Sequence, residues 1–348
     1  MEMNFYQELQ LNQAASKAVI RQTKSQKQKL YHIGVYLTKI FITMLFCVAF
    51  VTGYSKIFGS ENSIVGVLIL LCIMSFRFTN TGLKNWHGII AMMCIFIILA
   101  IGPRLANSGS LFFQFIINII SIFLIMFLGC HNVLFFNQST LVLGYLLLFG
   151  YDVTGVAYQK RICAIIIGAI MTITVYYRNH RKKQYKRTLL DLIKEFHISS
   201  TRTRWQLAVS LGVSLLIYIA ALLDFPRTMW VGIATMSVIQ PFQADMKQRV
   251  TGRIWGNLIG SVVFIILYMI IPESLRFTFG IIGGIGVGLS ATYGWQAVFN
   301  SLGAMTIATE FLGVHGAIFY RIINNIFGAV LGYLFFYIFI RFFGYEYE

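Results

Sequence analysis

The sequence predicts an all-α integral membrane protein, and three observations lead to this prediction. Hydrophobic residues make up 57% of the 348 positions, charged residues make up only 11%, and the mean hydropathy is +0.73. A single soluble core of this length would not need so much apolar surface. Long apolar runs recur from about residue 33 to residue 340. Because every backbone donor and acceptor inside a bilayer must be satisfied within its own segment, such runs form transmembrane helices.

Twelve apolar segments follow one another along the chain, and each is a candidate transmembrane helix. They lie at about 33–53, 63–76, 87–102, 111–129, 139–151, 161–177, 206–223, 229–241, 254–271, 277–290, 294–310 and 317–340. A cytoplasmic amino terminus assigns twenty Lys and Arg residues to inner segments and seven to outer ones. This charge bias predicts a multi-pass protein of the plasma membrane with both termini in the cytoplasm.

The polar stretches between these segments divide the chain into five parts. A basic amino-terminal segment (1–32) precedes six spans (33–177), and a basic linker (178–204) separates them from six more (205–341) and a short tail (342–348). The linker is either a solvated segment or an amphipathic helix on the cytoplasmic membrane surface, and both interpretations stay open. Most of the net charge of +16 lies beside the spans, so we expect contacts with anionic lipids and no nucleic acid.

The two groups of spans resemble each other, which predicts an internal repeat. The sequence YQKRICAIIIGA at 158–169 corresponds to FYRIINNIFGAV at 319–330. Because six is an even number, two such repeats are parallel and related by an axis along the membrane normal. The first group has Thr81 where the second has Arg249, and Lys84 is its nearest substitute charge.

An arginine followed seven positions later by a glycine occurs at three apolar runs. A guanidinium in lipid is costly unless it reaches water, phosphate or a partner, and a glycine allows another helix to approach closely. The pattern therefore predicts packed, charged entrances to the protein. The three pairs are Arg161/Gly168, Arg249/Gly256 and Arg321/Gly328.

The surroundings of these arginines indicate what each of them could do. Arg249 and Arg253 lie one helical turn apart, beside glycines at 252, 256 and 260, and together they could bind a carboxylate. The alternative is that they extend to lipid headgroups and set the topology. Arg161 and Arg321 are predicted at outer ends, against the usual charge bias, which favours a pore role or an ion pair. The acidic residues predicted on that side are Asp152, Asp224 and Glu310.

The eighth span is unusually short. It runs for about 13 residues from Met229 to Pro241, whereas about 20 residues are needed to cross a bilayer. Pro241 must end or kink it, and a broken helix presents backbone dipoles to a solute. A tilted ordinary helix in a thinned bilayer is the alternative. Trp230 could stack on an aromatic substrate or anchor the helix at the interface, and Asn324 should face protein or an aqueous path.

The second half resembles the fusaric acid resistance family, the aromatic acid exporters. The residues that carry the resemblance are Arg204, Pro226 and Arg227 before Trp230, Pro241, Arg249 with Gly252, Gly256 and Gly260, and Arg321 with Asn324 and Gly328. An acidic residue often stands at the position of Asn324 in that family. The resemblance is specific over about 200–340 and suggestive over 30–180. It implies a transporter-like membrane domain, efflux of small organic acids, and distant kinship to plant aluminium-activated malate transporters, which are dimeric anion channels.

No sequence motif of an enzyme accompanies these features, because the chain has no HExxH, serine elbow or Walker sequence. We therefore expect neither an enzyme nor a bound cofactor or metal. The sequence predicts a homodimeric exporter of small organic or aromatic anions, with basic side chains lining a solvated route between the two groups of spans. A gated anion channel of the same architecture and a non-transporting scaffold, which recruits partners through the linker, are the alternatives.

Overall fold

The computed structural model describes residues 4–242 and 244–344, and these ranges fold into helices joined by short loops. The α-helices are α1 (Phe5–Leu9), α2 (Gln13–Gln22), α3 (Gln26–Phe58), α4 (Ser63–Phe76), α5 (Asn85–Ala106), α6 (Leu111–Gly129), α7 (Gln138–Gly150), α8 (Gly155–His180), α9 (Leu189–Lys194), α10 (Thr201–Leu222), α11 (Met229–Val238), α12 (Ala244–Ile270), α13 (Thr278–Leu289) and α14 (Tyr293–Phe343).

The helices agree with the predicted class of protein. Seven of them, α3, α5, α6, α8, α10, α12 and α14, are long and apolar enough to cross a membrane, and α4, α7, α11 and α13 are shorter apolar helices. Helix α14 is two helical parts joined at Gly313, which has a φ of 65°. The prediction of an all-helical membrane protein is confirmed. The count of twelve crossings stays a prediction, since length and composition alone do not establish it.

The two groups of helices, α3–α8 and α10–α14, make equivalent contacts. Helix α3 contacts α4 in the first group, as α10 contacts α11 in the second, and α4 contacts α8 as α11 contacts α14. Between the groups, α10 lies against α6 and α3 lies against α13. The first helix of each group thus packs on the fourth helix of the other. A two-fold repeat would produce this pattern, and the repeat itself stays a prediction.

Helix α11 is a short, interrupted element. It has 10 residues, which correspond to about 15 Å of helix, or half of a bilayer core. It ends at Val238, three residues before the predicted end at Pro241. The residue before a proline avoids the helical conformation, so Gln240 cannot continue the helix. The carbonyl of Ile239 accepts a hydrogen bond from Trp205 Nε1 at 3.3 Å, which partly satisfies the broken end.

Glycines allow the helices of the second group to touch backbone to backbone. A Cβ atom on Gly256 of α12 would lie 2.5 Å from the carbonyl oxygen of Gly294 and 2.8 Å from the Cβ of Ala297. Gly252 and Gly260 of the same stripe also face α14. Gly328 packs against the Val231 carbonyl and Ala234 of α11, and Gly168 of the first group packs against Ile69 of α4.

Replacing Gly256 with alanine is expected to destabilise the protein, because the added methyl group would collide with the α14 backbone. Overpacking of this kind costs about 1–3 kcal/mol of unfolding free energy. The matched control is Gly280→Ala, since nothing lies within 4 Å of a Cβ at Gly280. Alanine there should be neutral or stabilise by up to about 1 kcal/mol. Thermal unfolding in detergent checks both variants, and equal midpoints for Gly256→Ala and wild type would contradict this packing.

The linker is packed onto the first group of helices. Leu192 of α9 is buried against Leu83 and Ala91, and Phe196 lies edge-on to Phe123 and Phe127 of α6. The linker therefore lies at the end of the bundle that holds the start of α5 and the end of α6. We call this end the linker side and the opposite end the distal side.

The amino-terminal helices α1 and α2 also dock on the linker side. The Gly288 carbonyl, at the end of α13, accepts hydrogen bonds from Gln13 Nε2 and from the Tyr36 hydroxyl, both at 2.6 Å. Lys17 donates to the carbonyl of Ser290. Because the last carbonyls of a helix have no partners within it, these contacts satisfy the end of α13.

An ion-pair cluster joins the linker to the loop after α6. Glu195 lies 2.9 Å from Arg187, 3.2 Å from Arg202 and 3.2 Å from His131. Nε2 of His131 also lies 3.1 Å from an Arg202 nitrogen, and since a guanidinium can only donate, the imidazole accepts and is neutral. Burial, together with the charges of Arg202 and Arg187, lowers the pKa of His131 from 6.5 to about 4, and Glu195 opposes this shift.

We expect this cluster to make stability depend on pH. Between pH 6.5 and about 4 the unfolded chain protonates His131 and the folded chain does not, so folding stability falls as the pH falls through this window. Above pH 6.5 the contribution is constant. The unfolding midpoint should therefore drop less between pH 7 and pH 5 in His131→Gln than in wild type. An unchanged pH dependence in His131→Gln would contradict the prediction, and His315→Gln, at an exposed position, is the control.

Candidate functional site

Arg253 of α12 lies at the end of α11, between the start of α14 and the second part of that helix. Its Nε donates to Oδ1 of Asn325 at 3.0 Å, and its Nη1 donates to the Ser237 hydroxyl at 2.9 Å and the Tyr293 hydroxyl at 2.7 Å. Only 8% of the residue is exposed. All three partners are neutral, so they orient the guanidinium without cancelling its charge.

Arg321 of α14 is buried and far less well satisfied. Its guanidinium lies 5.2 Å from the ring of Trp230, and its Nε has no hydrogen-bond partner within the described part of the chain. A buried polar group left in this state costs about 1–3 kcal/mol or more. Trp230 is only 1% exposed, so its ring faces protein beside Arg321, and its two predicted roles stay predictions.

Asn324 and Asn325 connect these arginines to their surroundings. Nδ2 of Asn325 donates to the Arg321 carbonyl at 2.6 Å, while its Oδ1 accepts from Arg253. Nδ2 of Asn324 donates to the carbonyls of Pro226 and Arg227 at 2.8 Å and 3.3 Å. Oδ1 of Asn324 is buried without a partner among the described residues. Asn324 thus faces protein, as predicted for a polar residue in an apolar span.

Two further arginines extend this arrangement towards both ends of the bundle. On the linker side, Arg249 lies over the ring of Tyr293 at 4.9 Å, one turn from Arg253. On the distal side, Arg227 lies 5.0 Å from the ring of Tyr151 and 4.5 Å from that of Phe311. We call the four residues the arginine ladder; from the linker side to the distal side they are Arg249, Arg253, Arg321 and Arg227.

The described side chains leave the positive charge of the arginine ladder unpaired. Among residues 4–242 and 246–344, whose side chains the structure describes, no carboxylate lies at ion-pair distance from any of its four members. Buried charges in proteins are normally paired, because the interior solvates them poorly. An anion placed between the guanidinium groups would offset this cost, and a carboxylate fits their paired donors. Chemically, the site is suited to bind small anions.

Arg161 occupies the corresponding position in the first group, but two of its guanidinium nitrogens have hydrogen-bond partners. Its Nε donates to Oδ1 of Asn62 at 2.9 Å and its Nη2 to the Glu61 carbonyl at 3.2 Å. Asp152, predicted as a possible counter-ion for it, instead pairs with Arg104 at 2.6 Å. The prediction that Arg161 serves the same site as Arg321 is therefore not supported. Arg161 joins α8 to the start of α4.

The other predicted residues lie outside the ladder. Lys84 is exposed on the linker side, where its backbone amide donates to the Arg187 carbonyl at 2.8 Å. Pro241 is buried just beyond α11. Gly168, Gly252, Gly256, Gly260 and Gly328 are helix contacts, as described above.

A solvated route between the two groups stays a prediction, and most of the ladder lies away from that junction. Arg249, Arg253 and Arg321 lie inside the second group of helices, among α11, α12 and α14, whereas Arg227 lies against Tyr151 of the first group. Away from the distal side, the two groups are in direct contact: Gln206 of α10 donates to the Met126 carbonyl of α6 at 3.1 Å, and Gly232 of α11 lies against Leu146 of α7.

Sequence reasoning missed several partners of the ladder. Ser237, Tyr293, Tyr151 and Phe311 carry no signal in the sequence, since hydroxyl and aromatic residues are common in all spans. Asn325 could have been included, because two adjacent asparagines in an apolar run are unusual.

Comparisons with known proteins agree with this class of molecule, a multi-pass helical membrane protein of the transporter type. Residues 213–335 match the family model described as fusaric acid resistance protein-like. This range contains all four members of the arginine ladder, and it confirms the resemblance that the second half of the sequence indicates. No curated protein and no solved structure matches the chain.

Proposed function

We propose that the protein exports small organic or aromatic acid anions from the cytoplasm and that the arginine ladder is their route. The observation that carries this proposal is Arg321, which is buried, unpaired at Nε and without a described carboxylate at ion-pair distance. A charge kept in this condition suits a site whose counter-ion is a passing solute. The family match supports transport in general and leaves the substrate open.

The spacing of the ladder suits stepwise movement of an anion. Arg249 and Arg253 are one turn apart, about 5.4 Å along α12, and Asn325 separates Arg253 from Arg321. Several weak sites in series let an anion enter and leave, whereas one tight site would trap it. The aromatic rings of Tyr293, Trp230 and Tyr151 offer flat faces along the way. Because Arg253 and Arg321 are buried, transport requires α11 to separate from α12 and α14.

A gated anion channel of the same architecture is the second candidate. A coupled exporter needs a group that carries protons or another ion, and no described carboxylate or histidine contacts the ladder. This favours passive movement along the anion gradient. A carboxylate flux that is independent of an imposed proton gradient would favour the channel. A flux whose rate depends on that gradient would favour coupled export.

We also infer that the linker side faces the cytoplasm and anionic lipids, and that the protein forms a homodimer. The basic residues of the linker support the first inference, because positively charged loops are retained in the cytoplasm. Two results together would support the scaffold alternative. Liposome flux would equal that of empty vesicles, and the linker would be required for the capture of another envelope protein.

A flux screen of carboxylates in liposomes tests the proposal at Arg249, the member nearest the linker side. Arg249→Ala should lower carboxylate flux severalfold, mainly through a higher KM, because the first cation met by the solute is lost. Lys247→Ala is the control, since it removes an equal charge from an exposed position of α12. Equal flux in Arg249→Ala and wild type would remove this residue from the route.

A further inference from the structure

A cavity of 380 Å³ opens on the distal side, where the two groups of helices meet. The first group contributes Asn107, from the loop after α5, and Gln114 of α6; the second contributes Asp224, Arg227 and Thr228, from the loop before α11. Its volume is at the lower end of the range for small-molecule sites, about 300–1,000 Å³. The cavity can therefore hold a small solute.

The cavity is lined by one acidic and one basic side chain, and these two side chains do not form an ion pair. Asp224 and Arg227 both line it, and neither forms an ion pair with the other or with another described residue. Both have left-handed backbones, with φ of 53° and 58°. Such conformations are unfavourable for residues other than glycine, and they tend to persist where function needs a particular side-chain direction.

The remaining surface of the cavity is ordered and partly apolar. Arg227 is held between the rings of Tyr151 and Phe311. Nδ2 of Asn107 donates to the Phe149 carbonyl at 2.9 Å, which fixes this amide at the wall. Phe149 and Phe225 contribute apolar surface. The cavity thus presents a positive charge, a negative charge and an apolar surface. It is complementary to a solute that carries an anionic group, a cationic group and an apolar part.

We propose that this cavity binds a small zwitterion, an amino-acid-type solute whose carboxylate meets Arg227 and whose ammonium group meets Asp224. The apolar part of the solute lies against Phe149 and Phe225. This inference rests on the proposed function, because Arg227 is both the wall of the cavity and the distal end of the ladder. It extends the substrate class from simple organic anions to solutes that carry an ammonium group as well.

Three ligands with one skeleton test the proposal by calorimetry on the purified full chain. L-Phenylalanine carries both charges, 3-phenylpropanoate only the carboxylate and phenethylamine only the ammonium. Phenylalanine should bind at least about tenfold more tightly than either of the others, since each lost charge pair removes about 1.4 kcal/mol or more.

Two variants identify the charges responsible. Asp224→Asn keeps a residue that tolerates the left-handed backbone, so the loop should hold its conformation. It should bind phenylalanine and 3-phenylpropanoate equally, and Arg227→Asn should lose phenylalanine binding. Glu273→Gln, at an exposed acid, is the control and should behave as wild type.

The outcomes separate this inference from the proposed function. Wild-type phenylalanine affinity in Asp224→Asn, or equal wild-type affinities for phenylalanine and 3-phenylpropanoate, would overturn the zwitterion site even if the ladder carries carboxylates. Selective phenylalanine binding that needs Asp224 would support the site. Such binding without any carboxylate flux would overturn the proposed function alone.

Discussion

Replacing Arg321 with glutamine is expected to lower carboxylate flux at least about tenfold while leaving the protein as stable as wild type or more so. A charge-assisted hydrogen bond to a solute is worth about 1.5–3 kcal/mol, and its loss corresponds to at least that factor. In the resting protein, however, the Arg321 charge is buried without a counter-ion, and its Nε is unpaired. Removing such a charge relieves a desolvation cost. Liposome flux and thermal unfolding in detergent measure the two effects.

The equivalent substitution in the first group, Arg161→Gln, should give the opposite pair of results. It removes the hydrogen bonds to Asn62 and to the Glu61 carbonyl, so unfolding free energy should fall by about 1–3 kcal/mol. Flux per folded molecule should stay at the wild-type value, because Arg161 lies outside the ladder. Equal losses of flux in Arg161→Gln and Arg321→Gln would contradict the distinction between the two arginines.

Replacing Arg253 with alanine should reduce both flux and stability. The substitution leaves Asn325, Ser237 and Tyr293 without their shared donor, at about 1–3 kcal/mol for each buried group that stays unsatisfied. Flux should fall at least about tenfold, as for Arg321, because a carboxylate loses a comparable interaction. Flux assays corrected for the amount of folded protein separate the two effects.

Arg253→Lys distinguishes charge from geometry at the same position. Lysine keeps the positive charge but lacks the planar fork that reaches several partners at once. We expect flux between that of Arg253→Ala and wild type, and a stability loss close to that of Arg253→Ala. Wild-type flux in a folded Arg253→Ala protein would exclude Arg253 from the route.

The class of protein can be predicted from the sequence because hydropathy is a property of whole segments. Glycines spaced four apart, such as Gly252 and Gly256, likewise indicate a helix contact from local pattern alone. The ladder could not be predicted in the same way. Arg253 and Asn325 are 72 positions apart, and only the packing of α12 on α14 brings them together. The sequence spacing places Arg249 and Arg253 on one face of α12, but it gives no information about which helix packs against that face.

Two features of the site depend on tertiary contacts that sequence patterns do not show. Trp230 lies at the start of a span, where tryptophan commonly anchors a helix, yet α11 is so short and enclosed that its first turn is buried. Arg161 and Arg321 follow the same sequence pattern, but only Arg161 has an asparagine, Asn62, on the facing segment. A single asparagine in a loop carries no signal of its own, so the different states of the two arginines depend on tertiary contacts.

The most direct test of the ladder is the flux of isophthalate, a dicarboxylate that crosses bare lipid slowly, into liposomes under an imposed membrane potential. We predict that wild-type protein admits isophthalate faster than empty vesicles do, that an inside-positive potential accelerates its uptake, and that Arg253→Ala with Arg321→Gln abolishes it. Uptake equal to that of empty vesicles, or uptake that survives the double substitution, would contradict the account.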